Sequence, residues 1–178
     1  MATIRVVDEG ILYRNPKPGL RAIHASFPCI LELSPAELIC AYRRGQAFQS
    51  HDGRVHLLRS TDAGKTWAEE GPVWDGTRDA EPVYYAHTQL TKLSDGTILL
   101  VSSTFDASDP ERLMYNDETM GYLCTGGVLF RSTDAGHTWS DPQRIPWPAG
   151  MVANPSSTPI VELPDGRLLL VVETWKAW

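Results

Sequence analysis

Two acidic residues occupy the same sequence context. Arg59-Ser60-Thr61-Asp62-Ala63-Gly64-Lys65-Thr66-Trp67 returns as Arg131-Ser132-Thr133-Asp134-Ala135-Gly136-His137-Thr138-Trp139, identical at eight of nine positions and displaced by 72 residues. Asp62 and Asp134 could in principle serve as catalytic acids or metal ligands. The same pattern also closes a turn. An Asp side chain accepts hydrogen bonds from backbone N–H groups two residues on, and Gly takes a positive φ without steric cost. Trp supplies a broad apolar face with one N–H that needs a partner. A catalytic centre has little use for the same acid at equivalent places in two units. Ser60, Asp62, Gly64 and Trp67, with Ser132, Asp134, Gly136 and Trp139, therefore read as a structural set. A second store of chemically capable side chains is the stretch 104–118, which carries Asp106, Asp109, Glu111, Asp117 and Glu118. Long irregular insertions in compact domains are often functional lids. Its carboxylates could serve acid–base chemistry or accept hydrogen bonds from a ligand.

The elements that position these groups are themselves repeated, and internal repetition decides the fold. Residues 28–34, 88–94 and 158–164 align with one another. Each is followed by a turn (Ser34-Pro35-Ala36-Glu37, Ser94-Asp95-Gly96 or Pro164-Asp165-Gly166) and then by an apolar run. Asp-Gly between short apolar runs is a strong hairpin signal, so each unit opens with antiparallel strands A and B. A longer connection leads to strand C, residues 55–59 or 127–131, and the nine-residue motif turns the chain into strand D. Four antiparallel strands per repeat without helical periodicity describe a propeller blade. Thirteen prolines and fourteen glycines suit that turn-rich architecture. The expected fold is an all-β propeller of four-stranded antiparallel blades, present as about two and a half blades of an incomplete ring. The units are 1–22, an N-terminal segment that could close the last blade; 23–82, blade 1; 83–152, blade 2 with a long B–C loop at 104–126; and 153–178, the first hairpin of blade 3.

Composition narrows the function. The 178 residues carry a net charge of −6, with 42% hydrophobic and 21% charged residues. That is a globular profile, and its acid excess excludes a phosphate-neutralising nucleic-acid surface. Asp8 and Glu9 fall where the apolar part of a signal peptide would run. No window approaches the roughly 18 apolar residues of a membrane span, so a cytoplasmic location is the default expectation. Cys29, Cys40 and Cys124 have no zinc-type spacing. A Cys29–Cys40 disulfide between neighbouring strands is conceivable, although buried free thiols fit better. No metal or organic cofactor is expected, and no run of oxygen ligands has EF-hand spacing.

The two nine-residue motifs resemble the Asp-boxes of sialidases and related BNR-repeat proteins, and the resemblance runs from about Ala22 to the end of the chain. It implies a six-bladed sialidase-type propeller with each Asp-box between strands C and D, away from the active site. In that family the substrate sits over the central axis, contacted from the starts of the A strands and from the B–C loops. Carried over, this implies substrate contacts from His24, Arg43, Arg44, Tyr85, His87 and Asp106. Arg43 and Arg44 end strand B, where the family carries a carboxylate-binding Arg, and strand alternation aims one of them at the axis. Asp52, in Gln49-Ser50-His51-Asp52-Gly53, is the nearest match to the family's acid/base, while Asp-Gly also suits a plain turn. Ser26, in Ala25-Ser26-Phe27-Pro28, stands where the family has another carboxylate-binding Arg. A serine hydrogen-bonds but cannot form a charged fork. The family's Tyr nucleophile, its Glu partner and a third Arg come from later blades, beyond Trp178.

The resemblance implies a sialidase-like exo-glycosidase acting on a terminal acidic sugar through a covalent intermediate, using a Tyr in place of the usual second carboxylate. A non-catalytic repeat module that binds glycan or protein, and another carbohydrate enzyme on the same propeller, such as a uronic-acid lyase, remain open. A closed propeller needs roughly four to eight blades. The chain is therefore expected to be a fragment, or to need the remaining blades or an oligomeric partner to complete the ring.

Overall fold

The computed structural model describes residues 3–77, 79–147, 152–154 and 158–178. The first sheet is a meander of β1 (His24–Glu32), β2 (Leu38–Gly45), β3 (Arg54–Ser60) and β4 (Ala68–Pro72). The second contains β5 (Val83–Lys92) and β6 (Ile98–Asp106). After a short hairpin of β7 (Tyr115–Asn116) and β8 (Gly121–Tyr122), it continues with β9 (Cys124–Ser132) and β10 (Gln143–Arg144). Neighbouring strands in both sheets are antiparallel. A third unit begins with β11 (Val152–Asn154) paired to β14 (Glu173–Trp175), and β12 (Val161–Glu162) paired to β13 (Leu168–Leu169). Among the described residues there is no helix. The protein is an all-β propeller of four-stranded blades, about two and a half of them.

Local chemistry explains why the units are alike. The A–B turns share one backbone bond: Leu33 N–H to Glu37 O, Leu93 N–H to Thr97 O and Leu163 N–H to Arg167 O, at 2.9, 2.8 and 2.8 Å. In the Asp-Gly turns, Asp95 and Asp165 also accept the Thr97 and Arg167 N–H groups through Oδ1. The nine-residue loops are self-contained. Ser60 Oγ accepts the Gly64 N–H at 2.8 Å and donates to Asp62 Oδ1 at 2.8 Å. Asp62 accepts the Thr66 N–H at 2.8 Å and the Thr66 hydroxyl at 2.6 Å, and Trp67 Nε1 donates to Gly64 O at 3.0 Å. Every one of these bonds recurs among Ser132, Asp134, Gly136, Thr138 and Trp139.

The core lies between the two complete sheets. Alternation sends Ile39, Ala41, Val55 and Leu57 from the first sheet against Tyr85, Leu90, Ile98, Leu100, Val128 and Phe130 of the second. The opposite face of the first sheet, Cys40, Tyr42 and Leu58, is covered by Leu12 and Tyr13. Those two belong to residues 3–23, which form no strand. On the far side, Leu99 and Val101 pack on Ile160 and Leu170 of the third unit. Arg59 ties the complete blades together. It pairs with Glu37 and Glu70 of its own sheet and donates across the interface to Ala135 O at 3.0 Å.

This geometry corrects the possible disulfide. Cys29 sits opposite Ala41 in the ladder and faces the second sheet, where its sulfur accepts the Leu90 N–H, whereas Cys40 faces Leu12 and Tyr13. The two thiols lie on opposite faces of one sheet, and none of the three cysteines forms a disulfide.

The long B–C loop is also different from a free lid. Its β7–β8 hairpin is fastened by the chain's last residues. Tyr122 N–H donates to Lys176 O at 3.0 Å, the Thr119 hydroxyl to Trp178 O at 2.8 Å, and Trp178 Nε1 to Leu113 O at 2.9 Å. Residues 148–151, at the expected end of the second unit, lie outside the described residues.

Candidate functional site

Strands β1 and β5 are the edges of their sheets and lie side by side, joined by the Thr88 hydroxyl to Phe27 O at 2.9 Å. Where these strands begin, β2 and β6 end, so strand starts and B–C loops converge at one mouth. Both edge strands break register at equivalent points, between Ser26 and Cys29 and between Ala86 and Thr88. In each break sits a non-glycine residue with positive φ: Phe27 at 54° and His87 at 43°. Such backbone is costly for an ordinary side chain and is characteristically held at functional positions. A bulge re-aims the side chain it carries. Here the Phe27 and His87 rings meet across the blade interface with centroids 4.1 Å apart.

These two rings are the middle of a longer strip. His24 and Phe27 flank Phe48 of the β2–β3 loop at 5.5 and 5.3 Å. His87 leads on to Phe105 at 6.1 Å, Phe105 to Tyr122 at 5.3 Å, and Tyr122 to Trp175 of the third unit at 5.1 Å. Tyr84 lies under Phe105, and His51 stacks on Tyr84 with planes 10° apart. The strip crosses all three units. His24, Phe48 and Trp175 are exposed rings, while Phe27 and His87 are half-buried. Burial, assisted by the positive charge of Arg43 and opposed by Glu173, pushes the His87 imidazole down to about 4, so the ring is neutral at physiological pH. Its Nδ1 is buried without a hydrogen-bond partner.

The two strand-end arginines diverge as alternation requires, but neither presents a free guanidinium. Arg43 is fully buried. It donates through Nη1 to Ala47 O at 2.8 Å and through Nη2 to Ser50 O at 2.7 Å, with its head over the Tyr84 ring. Gly53 makes room for it, since a Cβ there would strike the guanidinium, and a Cβ at Gly45 would strike the Ser50 hydroxyl beside it. Arg43 thus folds the β2–β3 loop from inside. Arg44, on the other face, pairs with Glu69 and covers the Tyr13 ring.

Asp52 is exposed at the edge of that loop, and both carboxylate oxygens accept the Gln46 N–H at 3.1 Å. It borders two concavities. One, of about 560 Å³, is shared with Arg21, Arg44 and His56. The other, of about 430 Å³, lies between the B–C loops and is shared with His51, Glu111 and Arg112. Asp106 accepts the Ser108 N–H at 2.8 Å and Arg112 Nη1 at 3.1 Å. Hydrogen bonds from Ser108, with Arg112 and His51 nearby, hold its carboxyl below the usual range.

The remaining sequence candidates separate. His24 is exposed at the start of the strip, and His87 lies at its centre. Tyr85 is buried in the inter-sheet core, where its hydroxyl donates to Asp79. Ser26 turns away from the strip into an apolar pocket with Leu12, Tyr13 and Tyr42, its Oγ without a partner. Sequence reasoning missed Phe27, Phe48, Tyr122 and Trp175. The available signal was Phe48, a large ring inside the polar loop Gln46-Ala47-Phe48-Gln49-Ser50. Among the described residues no group of three or more His, Cys, Asp or Glu side chains is placed to hold a metal ion. No helix of the described residues is long and apolar enough to cross a membrane.

No family model matches the chain, and no curated protein sequence matches it. Solved structures do. A protein of unknown function from Dyadobacter fermentans DSM 18053 is 24% identical with a TM-score of 0.74, over 94% of this chain and 50% of that one. The Hadza microbial sialidase Hz136 is 19% identical with a TM-score of 0.66, over 84% and 32%. The α-L-arabinanase of Penicillium chrysogenum, complexed with arabinobiose, is 20% identical with a TM-score of 0.56, over 85% and 42%. These likenesses establish a sialidase-like propeller fold, and the chain spans half or less of each of these three proteins.

Proposed function

We propose that this chain is part of a carbohydrate-active propeller enzyme, a glycoside hydrolase that seats a terminal sugar across the aromatic strip at the mouth. The observation that carries the proposal is the strip itself. Partly exposed rings from two blades and a loop converge at strand ends, and the loop that carries Phe48 also carries the exposed carboxylate of Asp52, which is the composition of a sugar-binding surface. The nine-residue loops are read as Asp-boxes of the BNR type, with a scaffold role in keeping with their closed hydrogen bonding. The sialidase and arabinanase among the structural neighbours support a glycosidase class without choosing within it. A sialidase-like exo-glycosidase for acidic sugars draws on the same motif, but of the three carboxylate-binding positions it needs, the two expected in this chain hold Ser26, turned aside, and Arg43, sealed in the loop. Another glycosidase on the same fold requires neither.

Asp52 is assigned the acid/base role, because it is the exposed carboxylate of the β2–β3 loop and borders the cleft between the B–C loops. Turnover by the protein with its ring complete, on a panel of aryl glycosides, tests the assignment. Asp52→Asn is expected to lower kcat about 10²–10⁴-fold. Unchanged turnover would remove Asp52 from the chemistry, and binding without turnover on every glycoside would reduce the protein to a glycan-binding module.

A further inference from the structure

We infer that the mouth takes a neutral sugar, seated by its C–H face on Phe27 and Phe48 with a hydroxyl hydrogen-bonded to His87, and does not select an acidic sugar by charge. This rests on the proposal that the mouth binds a glycan and adds the chemical class of that glycan. An acidic sugar brought into a partly dry cleft must give up the hydration of its carboxylate, and only a cation with donors to spare offsets that cost.

Of the arginines near the mouth, Arg43, Arg44, Arg54 and Arg112 are already engaged, and Arg21 stands exposed on the Arg44 side of Asp52, in a concavity lined by none of the strip's rings. Arg43 is fully buried, donates to two backbone carbonyls and keeps its one unpartnered donor, Nε, buried away from solvent. Arg44 is paired with Glu69. Arg54 donates to Gly53 O at 2.9 Å and Asp75 O at 3.2 Å, with its head over the Tyr85 ring. Arg112 is held by Asp106 at 3.1 Å and Asp109 at 3.9 Å and lies over the Trp178 ring. Freeing any of them would strand a carboxylate or a buried carbonyl. His87 supplies no positive charge, since burial keeps it neutral. Asp52 and Glu111 line the neighbouring concavity between the B–C loops and disfavour an anion there.

The mouth instead offers apolar faces and neutral hydrogen-bonding groups. Two strained bulges in separate blades aim Phe27 and His87 at one another, and Phe48 extends their surface. The His87 ring is a hydrogen-bonding group matched to a hydroxyl and without charge to attract a carboxylate. The C–H face of a neutral sugar suits this surface.

The test measures binding of the 178-residue chain by NMR titration at pH 7. Lactose, cellobiose and sucrose are the neutral probes, and 3′-sialyllactose and digalacturonate the acidic ones. Saturable binding of at least one neutral probe is expected, at least tenfold tighter than any acidic one and unchanged between 50 and 500 mM salt. Phe48→Ala, at an exposed loop position that leaves the fold intact, is expected to weaken it about tenfold. His87→Ala is expected to weaken it comparably, with His87→Gln retaining part of the affinity. Tighter, salt-sensitive binding of an acidic probe would overturn the inference while leaving the glycan-binding proposal standing. Neutral binding unaffected by Phe48→Ala and His87→Ala would overturn the assigned seat. Failure of all five probes to bind would overturn the inference together with the proposal beneath it.

Discussion

His87 concentrates the protein's tension in one residue: positive φ, a half-buried ring, and a nitrogen without a partner. Its imidazole titrates near 4 in the fold against 6.5 in the unfolded chain, so between those values the unfolded state binds more protons. The stability contributed by keeping His87 neutral is fully present above about pH 6.5 and is lost as pH falls towards 4. Thermal melts from pH 7 to 4 are expected to show this decline, and His87→Phe, which cannot protonate, to flatten it. An unchanged slope in the variant would place the decline elsewhere. Residue roles were legible in the sequence where bonding is local. Ser60, Asp62, Gly64 and Trp67 bond within a few positions of each other, so their spacing carries their purpose. Phe27 and His87 were not legible as a pair, because a bulge arises from pairing with β2 and β6 and leaves no spacing rule behind. Ser26 and Arg43 could be placed on strands by pattern, but which surface each strand face meets depends on Leu12, Tyr13 and the β2–β3 loop.

The nine-residue loops and the clamped hairpin are the elements that hold the mouth's surroundings. Hydrogen bonds from the Thr66 side chain and backbone and from Ser60 lower the Asp62 carboxyl to about 2, and the same bonding lowers Asp134 further. A depressed carboxylate stabilises the fold fully above its unfolded value near 4 and loses that contribution as pH falls towards 2. Asp62→Asn is therefore expected to lower the melting temperature at pH 7 and to shrink its fall between pH 4 and 2. Equal acid slopes in the two proteins would contradict this. The long B–C loop reads as a lid in sequence because nothing local restrains it; its restraint comes from residues 176–178, some sixty positions away. Gly121 sits where a Cβ would collide with the Ala177 carbonyl. Gly121→Ala is expected to unfasten the hairpin, exposing residues 107–120 to limited proteolysis while the two complete sheets remain intact. Resistance equal to the parent would show that the clamp is not what orders the loop.

At the scale of the whole molecule, the repeats made the architecture plain, since loops 72 residues apart that match at eight of nine positions demand equivalent blades. Val161, Leu168, Leu169, Val171 and Trp175 of the third unit remain exposed. Apolar patches of that kind mark surfaces that associate. Sedimentation velocity is expected to show concentration-dependent self-association of the 178-residue chain, and a monomer across the micromolar range would contradict it. The contact of Arg59 with Ala135 O runs one way, from the end of strand β3 in one blade to the loop of the next. Arg131 occupies the corresponding place in the second blade and is exposed. Blades joined only to their neighbours behave as a one-dimensional array whose cooperativity resides in the junctions. Arg59→Leu, which leaves Glu37 and Glu70 without their cation, should cost about 2 kcal/mol. It should also split one melting transition into two, so that Arg59 sets how far a disturbance in one blade travels along the array.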